Sequence, residues 1–136
     1  MRFKYSFLFS LCILILSVTQ AYATHIRAGE ITAERVSVQT LTYKITVVGY
    51  TDTRSSVEFG PGFINFGDGR EVSLNTESDF QLVEALGNQI EKNTFVIEHT
   101  FQGPGKYTIW FREFNRNDLT LNMDNSVETP LYVETQ

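Results

Sequence analysis

A chain of 136 residues, 42% of them hydrophobic and 13% aromatic, has material for one modest core and no second one. With 16 acidic against 11 basic residues its net charge is −5, which repels polyanions and argues against nucleic-acid binding. A single cysteine, Cys12, excludes an internal disulfide and a cysteine-built zinc site. Arg2 and Lys4 open the chain and Phe7 to Val18 is almost wholly apolar. Ala21-Tyr22-Ala23 then places small residues at the two positions a signal peptidase reads. The sequence therefore predicts a cleavable signal peptide over residues 1–23 and an exported domain over residues 24–136. A retained anchor is the weaker alternative, because a bilayer span needs about 20 apolar residues. Bulky neighbours around Cys12 do not resemble a lipoprotein cleavage site. Cleavage removes Cys12, Arg2 and Lys4 together, leaving a cysteine-free, more acidic domain with no expected membrane attachment.

Beyond the leader the hydrophobic pattern has period two. Gly29, Ile31 and Ala33 alternate with Glu30, Thr32 and Glu34; Leu41, Tyr43, Ile45 and Val47 then alternate with Thr42, Lys44 and Thr46, a half-buried strand. Ile64 and Phe66 share a face ahead of Gly67-Asp68-Gly69. In that turn the glycines can take positive φ and Asp68 can hydrogen-bond its own backbone. Val72 and Leu74 mark a short strand after it. The best helix candidate is Phe80 to Leu86, with Leu82, Val83 and Leu86 at helical spacing, although a loop or irregular strand fits equally well. Phe95, Ile97, His99 and Phe101 share one face of a later strand. Gly103-Pro104-Gly105 reads as a turn, and Tyr107, Ile109 and Phe111 share a face of the strand beyond it. Leu131 and Val133 mark a last strand after Pro130. Short strands separated by turn signals predict an all-β sandwich.

The run INFGDG, Ile64 to Gly69, followed by HTFQGPGKYTIWF, His99 to Phe111, resembles a PKD-type immunoglobulin-like domain. Phe66, Gly67, Asp68, Gly69, His99, Phe101, Gly105 and Tyr107 fall on that family's structural phrases. Ile64 stands where the family usually has tryptophan, and Asn65 where it usually has aspartate. THIRAGEIT, Thr24 to Thr32, and the run from Phe114 to Thr135 are similar to the first module of large gliding-motility-associated secreted proteins of Gram-negative bacteria. The resemblance implies an immunoglobulin-like sandwich, export and a role in adhesion or surface motility, and a fold of this kind hosts unrelated functions.

The residues themselves suggest display more than catalysis. His99, on an apolar face, reads as a buried imidazole with one or two hydrogen bonds, since it lacks the base, orienter and oxyanion donors of a site. Asp68 reads as a turn organiser. If Tyr107, Ile109 and Phe111 point inward, Trp110 and Arg112 point outward. There they make a candidate surface for a protein or glycan partner, with Tyr50 or Tyr132 as candidate neighbours covering the indole. A carbohydrate-binding module with Trp110 as stacking platform is the alternative. Asn115, Asn117, Asp118 and Asp124, with Asn122 and Asn125 nearby, have the oxygen-rich composition of a calcium loop but not the ordered spacing of a known one. Asparagine and aspartate also build turns without metal. No other cofactor and no acid–base pair for a hydrolase is indicated.

Overall fold

The computed structural model describes residues 26–55, 59–74, 80–114, 116, 120 and 123–136. The predicted signal peptide lies outside the described residues. Eight strands run in order: β1 (Ile26–Arg35), β2 (Thr42–Asp52), β3 (Gly62–Asn65), β4 (Glu71–Leu74), β5 (Phe80–Gly87), β6 (Ile90–Thr100), β7 (Ile109–Glu113) and β8 (Leu131–Thr135). They form two four-stranded sheets, β1-β2-β6-β5 and β4-β3-β7-β8, antiparallel throughout. Apart from one short 3-10 turn at Ser126–Glu128, no helix occurs among the described residues. The all-β expectation therefore holds.

The alternation read from the sequence sets which side of each sheet is greasy. Ile31, Ile45, Val47 and Phe95 from the first sheet meet Ile64, Leu74, Ile109, Phe111 and Leu131 from the second, with Phe59, Phe66 and Phe101 closing the ends. Each of these buried side chains contributes about 1.5–3 kcal/mol relative to exposure. Ile64 is fully buried. Ile26 opens β1, is 1% exposed, and bridges in parallel to Arg116. At Gly49 a Cβ would run into the Phe59 ring, so the absence of a side chain there seats an aromatic on the sheet.

One open reading is decided and one expectation is corrected. Of the helix, loop and irregular strand left open for Phe80 to Leu86, the structure shows the irregular strand, the edge strand β5 paired to β6. Register shifts at Phe80/Leu82 and Ala85/Gly87 break its alternation, and this is why its apolar spacing imitates a helix. Its turn into β6 has positive φ at both Asn88 and Gln89, as a tight two-residue hairpin requires. Gly103-Pro104-Gly105 does not join neighbouring strands. β6 lies in one sheet and β7 in the other, so this segment carries the chain across the core.

Candidate functional site

The two phrases singled out in the sequence meet at one end of the molecule. Phe66 N–H donates to the Arg70 carbonyl (3.1 Å), closing the β3–β4 connection, with Gly67 and Gly69 at φ +77° and +93° between them. A Cβ on Gly67 would lie 2.6 Å from the Thr108 carbonyl oxygen, so the turn backs directly onto the start of β7. Asp68 Oδ1 accepts from the Arg70 amide (3.0 Å), the turn-organising role expected of it. Its Oδ2 lies 2.8 Å from His99 Nε2.

His99 is 3% exposed. Its ring stacks on Phe66 at 4.0 Å and 5° between planes, and meets Phe101 edge-on at 4.6 Å. Phe101 stacks in turn on Tyr107 at 4.1 Å and receives the Tyr43 ring edge-on at 5.7 Å. The Tyr107 hydroxyl donates to the Gly103 carbonyl (2.8 Å) and pins the crossing segment. Gly105 lies under the Tyr107 ring, where a Cβ would sit 3.3 Å from it. Burial works against charge on Asp68, but the Arg70 amide and the His99 ring outweigh it and hold the carboxyl below its usual range. The contacts of Asp68 to the Arg70 amide and the His99 ring, and of Tyr107 to Gly103, tie the turn to the crossing segment. Beside it, a cleft of about 470 Å³ runs along Leu41, Tyr43, Phe101, Tyr107 and Ile109.

The outward residues of β7 build a different surface. Trp110 and Arg112 alternate with buried Ile109, Phe111 and Glu113. Tyr132 on β8 stacks on Trp110 at 5.9 Å, and the Arg112 guanidinium carbon lies 5.7 Å from the Trp110 centroid and 5.1 Å from that of Phe114. Tyr132 and Phe114 are about half exposed, at 49% and 52%. The Tyr132 hydroxyl donates to Glu134 (2.8 Å), which raises its pKa. Tyr132 is thus the neighbour expected over Trp110, while Tyr50 is not. Tyr50 sits on β2 in the opposite sheet and donates to Glu30 (3.1 Å), so it does not belong to the surface around Trp110. Phe114 was missed, because the alternation of β7 was followed only to Arg112.

Of the proposed calcium ligands, Asn115, Asn117 and Asp118 lie outside the described residues, as does Asn122. Asp124 is exposed, and Asn125 takes left-handed φ (51°) before the 3-10 turn, the structural use of asparagine. Among the described residues no group of three or more His, Cys, Asp or Glu side chains is placed to hold a metal.

Polar groups that the sequence pattern did not reveal occupy the far end. Asp52, 8% exposed, is clamped by Arg27 Nη2 (2.5 Å) and by Arg54 through Nε (2.9 Å) and Nη2 (2.5 Å), with the Arg54 amide at 3.0 Å. These donors drive its carboxyl far below the usual range and raise Arg54. Thr51, Asn93 and Glu91 form a short chain beside it: Asn93 Nδ2 donates to Thr51 Oγ1 (2.9 Å), and that hydroxyl to Glu91 (3.0 Å). Glu113, fully buried, accepts from the Gly60 amide at 3.2 Å. Arg54 lies two residues from Asp52, whereas the Arg27, Asn93 and Gly60 contacts join residues 25 or more apart, which a single sequence does not signal. In comparison with known proteins, no family model matches the chain, and no curated protein or solved structure matches it.

Proposed function

We propose that this protein is an exported, non-enzymatic interaction module of the PKD, immunoglobulin-like type, acting in adhesion or surface motility by presenting the outer face of β3, β7 and β8 to a partner. The observation that carries the interaction role is the Trp110, Arg112, Phe114 and Tyr132 surface. Tryptophan, tyrosine and arginine are the residues in which binding energy concentrates at protein interfaces. The fold reading draws support from the strand order, which in immunoglobulin lettering runs A-B-E-D against C′-C-F-G. It draws further support from Tyr107, two residues before the inward Ile109, whose hydroxyl bonds back to the corner between the sixth and seventh strands as a tyrosine corner does. Export rests on the leader pattern of residues 1–23.

A carbohydrate-binding module is the second reading. Trp110 would then offer an open ring face to a sugar, and that face is already engaged by Tyr132 and Arg112. Protein recognition is therefore the better fit. The test combines processing and binding. The chain expressed with its leader should appear outside the cytoplasm beginning at Thr24 and should bind cells of the producing organism saturably. The folded variant Trp110→Ala/Phe114→Ser/Tyr132→Ser should not bind. Retention in the cytoplasm with residues 1–23 intact, or undiminished binding by the variant, would refute the proposal.

A further inference from the structure

Several cations among the described residues have polar partners of their own. Arg27 and Arg54 hold Asp52, Arg35 donates to the carbonyls of Ser37, Val38 and Thr40, Lys44 pairs with Glu34 at 2.9 Å, and Arg116 reaches the Met123 sulfur. Arg112 differs in that its Nε is buried without a partner, and among the described residues its side chain makes no hydrogen bond and no ion pair. Its guanidinium is held between the Trp110 and Phe114 rings. The carboxylates nearest in the sheet have donors of their own: Glu134 takes the Tyr132 hydroxyl, Glu71 takes Asn65 Nδ2 (3.3 Å), and Glu113 turns inward to Gly60.

Resting on the proposed display role, we infer that Arg112 is the centre of a carboxylate-recognition site, and that the partner is a protein presenting one aspartate or glutamate framed by apolar side chains. A guanidinium fork fits a carboxylate with two parallel hydrogen bonds. Ring stacking holds the Arg112 fork in place before the partner arrives, which lowers the ordering cost of binding. On an acidic protein this lone cation among aromatics is complementary to a single acid. A polyanion would need a row of basic residues to neutralise it. Phe114 and Tyr132, half exposed on either side, supply the apolar frame.

The chain has one tryptophan, so Trp110 fluorescence reports on this surface alone. The purified protein is titrated with synthetic peptides carrying one central Asp or Glu between Leu, Phe and Pro residues, and with matched Asn or Gln peptides. Oligogalacturonate serves as the glycan arm. The expected result is a saturable change with at least some acidic peptides, weakened about 10- to 100-fold by the amide exchange, as loss of a charge-assisted hydrogen bond implies. Arg112→Gln should lose the same factor with an unchanged melting midpoint. Arg112→Lys, which keeps charge but not the fork, should recover only part of it. Equal response to acidic and amide peptides would overturn the carboxylate site while leaving the display role standing. A response to oligogalacturonate with silent peptides would overturn the protein partner. Silence toward every probe up to about 1 mM, the weakest affinity worth the name, would overturn the site as a whole.

Discussion

The Asp68–His99 pair can be removed one partner at a time, and the structure sets what each removal costs. His99→Phe keeps the stack on Phe66 and the edge contact with Phe101 while deleting the ring nitrogen that meets Asp68 at 2.8 Å. Asp68→Ala deletes the carboxylate and also its bond to the Arg70 amide. It leaves a buried imidazole, 3% exposed, with its Nε2 contact gone. A hydrogen bond to a charged group contributes about 1.5–3 kcal/mol, and a stranded buried donor costs about 1–3 kcal/mol. Asp68→Ala should therefore cost roughly 2–4 kcal/mol, and His99→Phe less, because Asp68, its side chain 14% exposed, retains the Arg70 amide and some contact with water. In a double-mutant cycle the Arg70 contribution cancels, leaving a coupling of about 1.5–2.5 kcal/mol.

Urea unfolding followed by Trp110 fluorescence measures this, provided the slope stays constant across the four proteins. A coupling under about 0.5 kcal/mol would mean that the pair is incidental and that the ring stack alone fixes the corner. Acid supplies a second reading of the same bond. Because the folded Asp68 pKa is depressed, its contribution is present above the unfolded value near 3.9 and is lost as pH falls through the folded one. The stability gap between the native protein and Asp68→Asn should accordingly narrow from pH 7 to pH 3, and a gap that widened would refute the charge assignment.

Tyr107→Phe removes one hydroxyl bond to Gly103 and should lower stability by about 1 kcal/mol in urea unfolding, leaving the far-UV spectrum unchanged. Gly49→Ala forces a methyl into the Phe59 ring and should cost about 1–3 kcal/mol, with Phe59→Leu in the same chain recovering part of the loss. Asp52, held far below its usual pKa by Arg54 and Arg27, should contribute stability that is complete above about pH 4 and fades only in stronger acid. The difference in acid-unfolding midpoint between the native protein and Asp52→Asn checks the sign.

What the sequence exposed and what it hid have a common physical reason. Period-two alternation survives where a strand has one buried face and an unbroken register, as in β2 with Ile45 and Val47 or β7 with Ile109 and Phe111. It fails at β5, where two bulges shift the register and the strand lies at a sheet edge with Val83 and Leu86 about half exposed. The β5–β6 hairpin was hidden as well, because Gln89 takes the positive φ that glycine usually signals. Asp68 and His99 were each read correctly as a turn residue and a buried imidazole, yet their union was invisible. It depends on the crossing from β6 to β7 that places both motifs at one end. The outward sense of Trp110 followed from alternation alone, whereas the identity of its neighbour required knowing that β8 and not β2 pairs with β7.

The arrangement of β7 links the locking cluster to the exposed surface. Its inward residues Ile109, Phe111 and Glu113 are buried, and its outward residues Trp110 and Arg112 stand in register with Asn65 and Phe63 on β3 and with Glu134 and Tyr132 on β8. A slip of one residue would exchange these two sets and bury an arginine in place of a phenylalanine. Three contacts at the start of the strand oppose that slip: the Gly67 turn against Thr108, the Tyr107 hydroxyl on Gly103, and the stack of Phe101 on Tyr107. All belong to the FGDG and HTFQGPGKYT phrases. These phrases fix which side chains β7 turns to solvent, and the core they help close leaves the residues of that outer face outside the buried cluster.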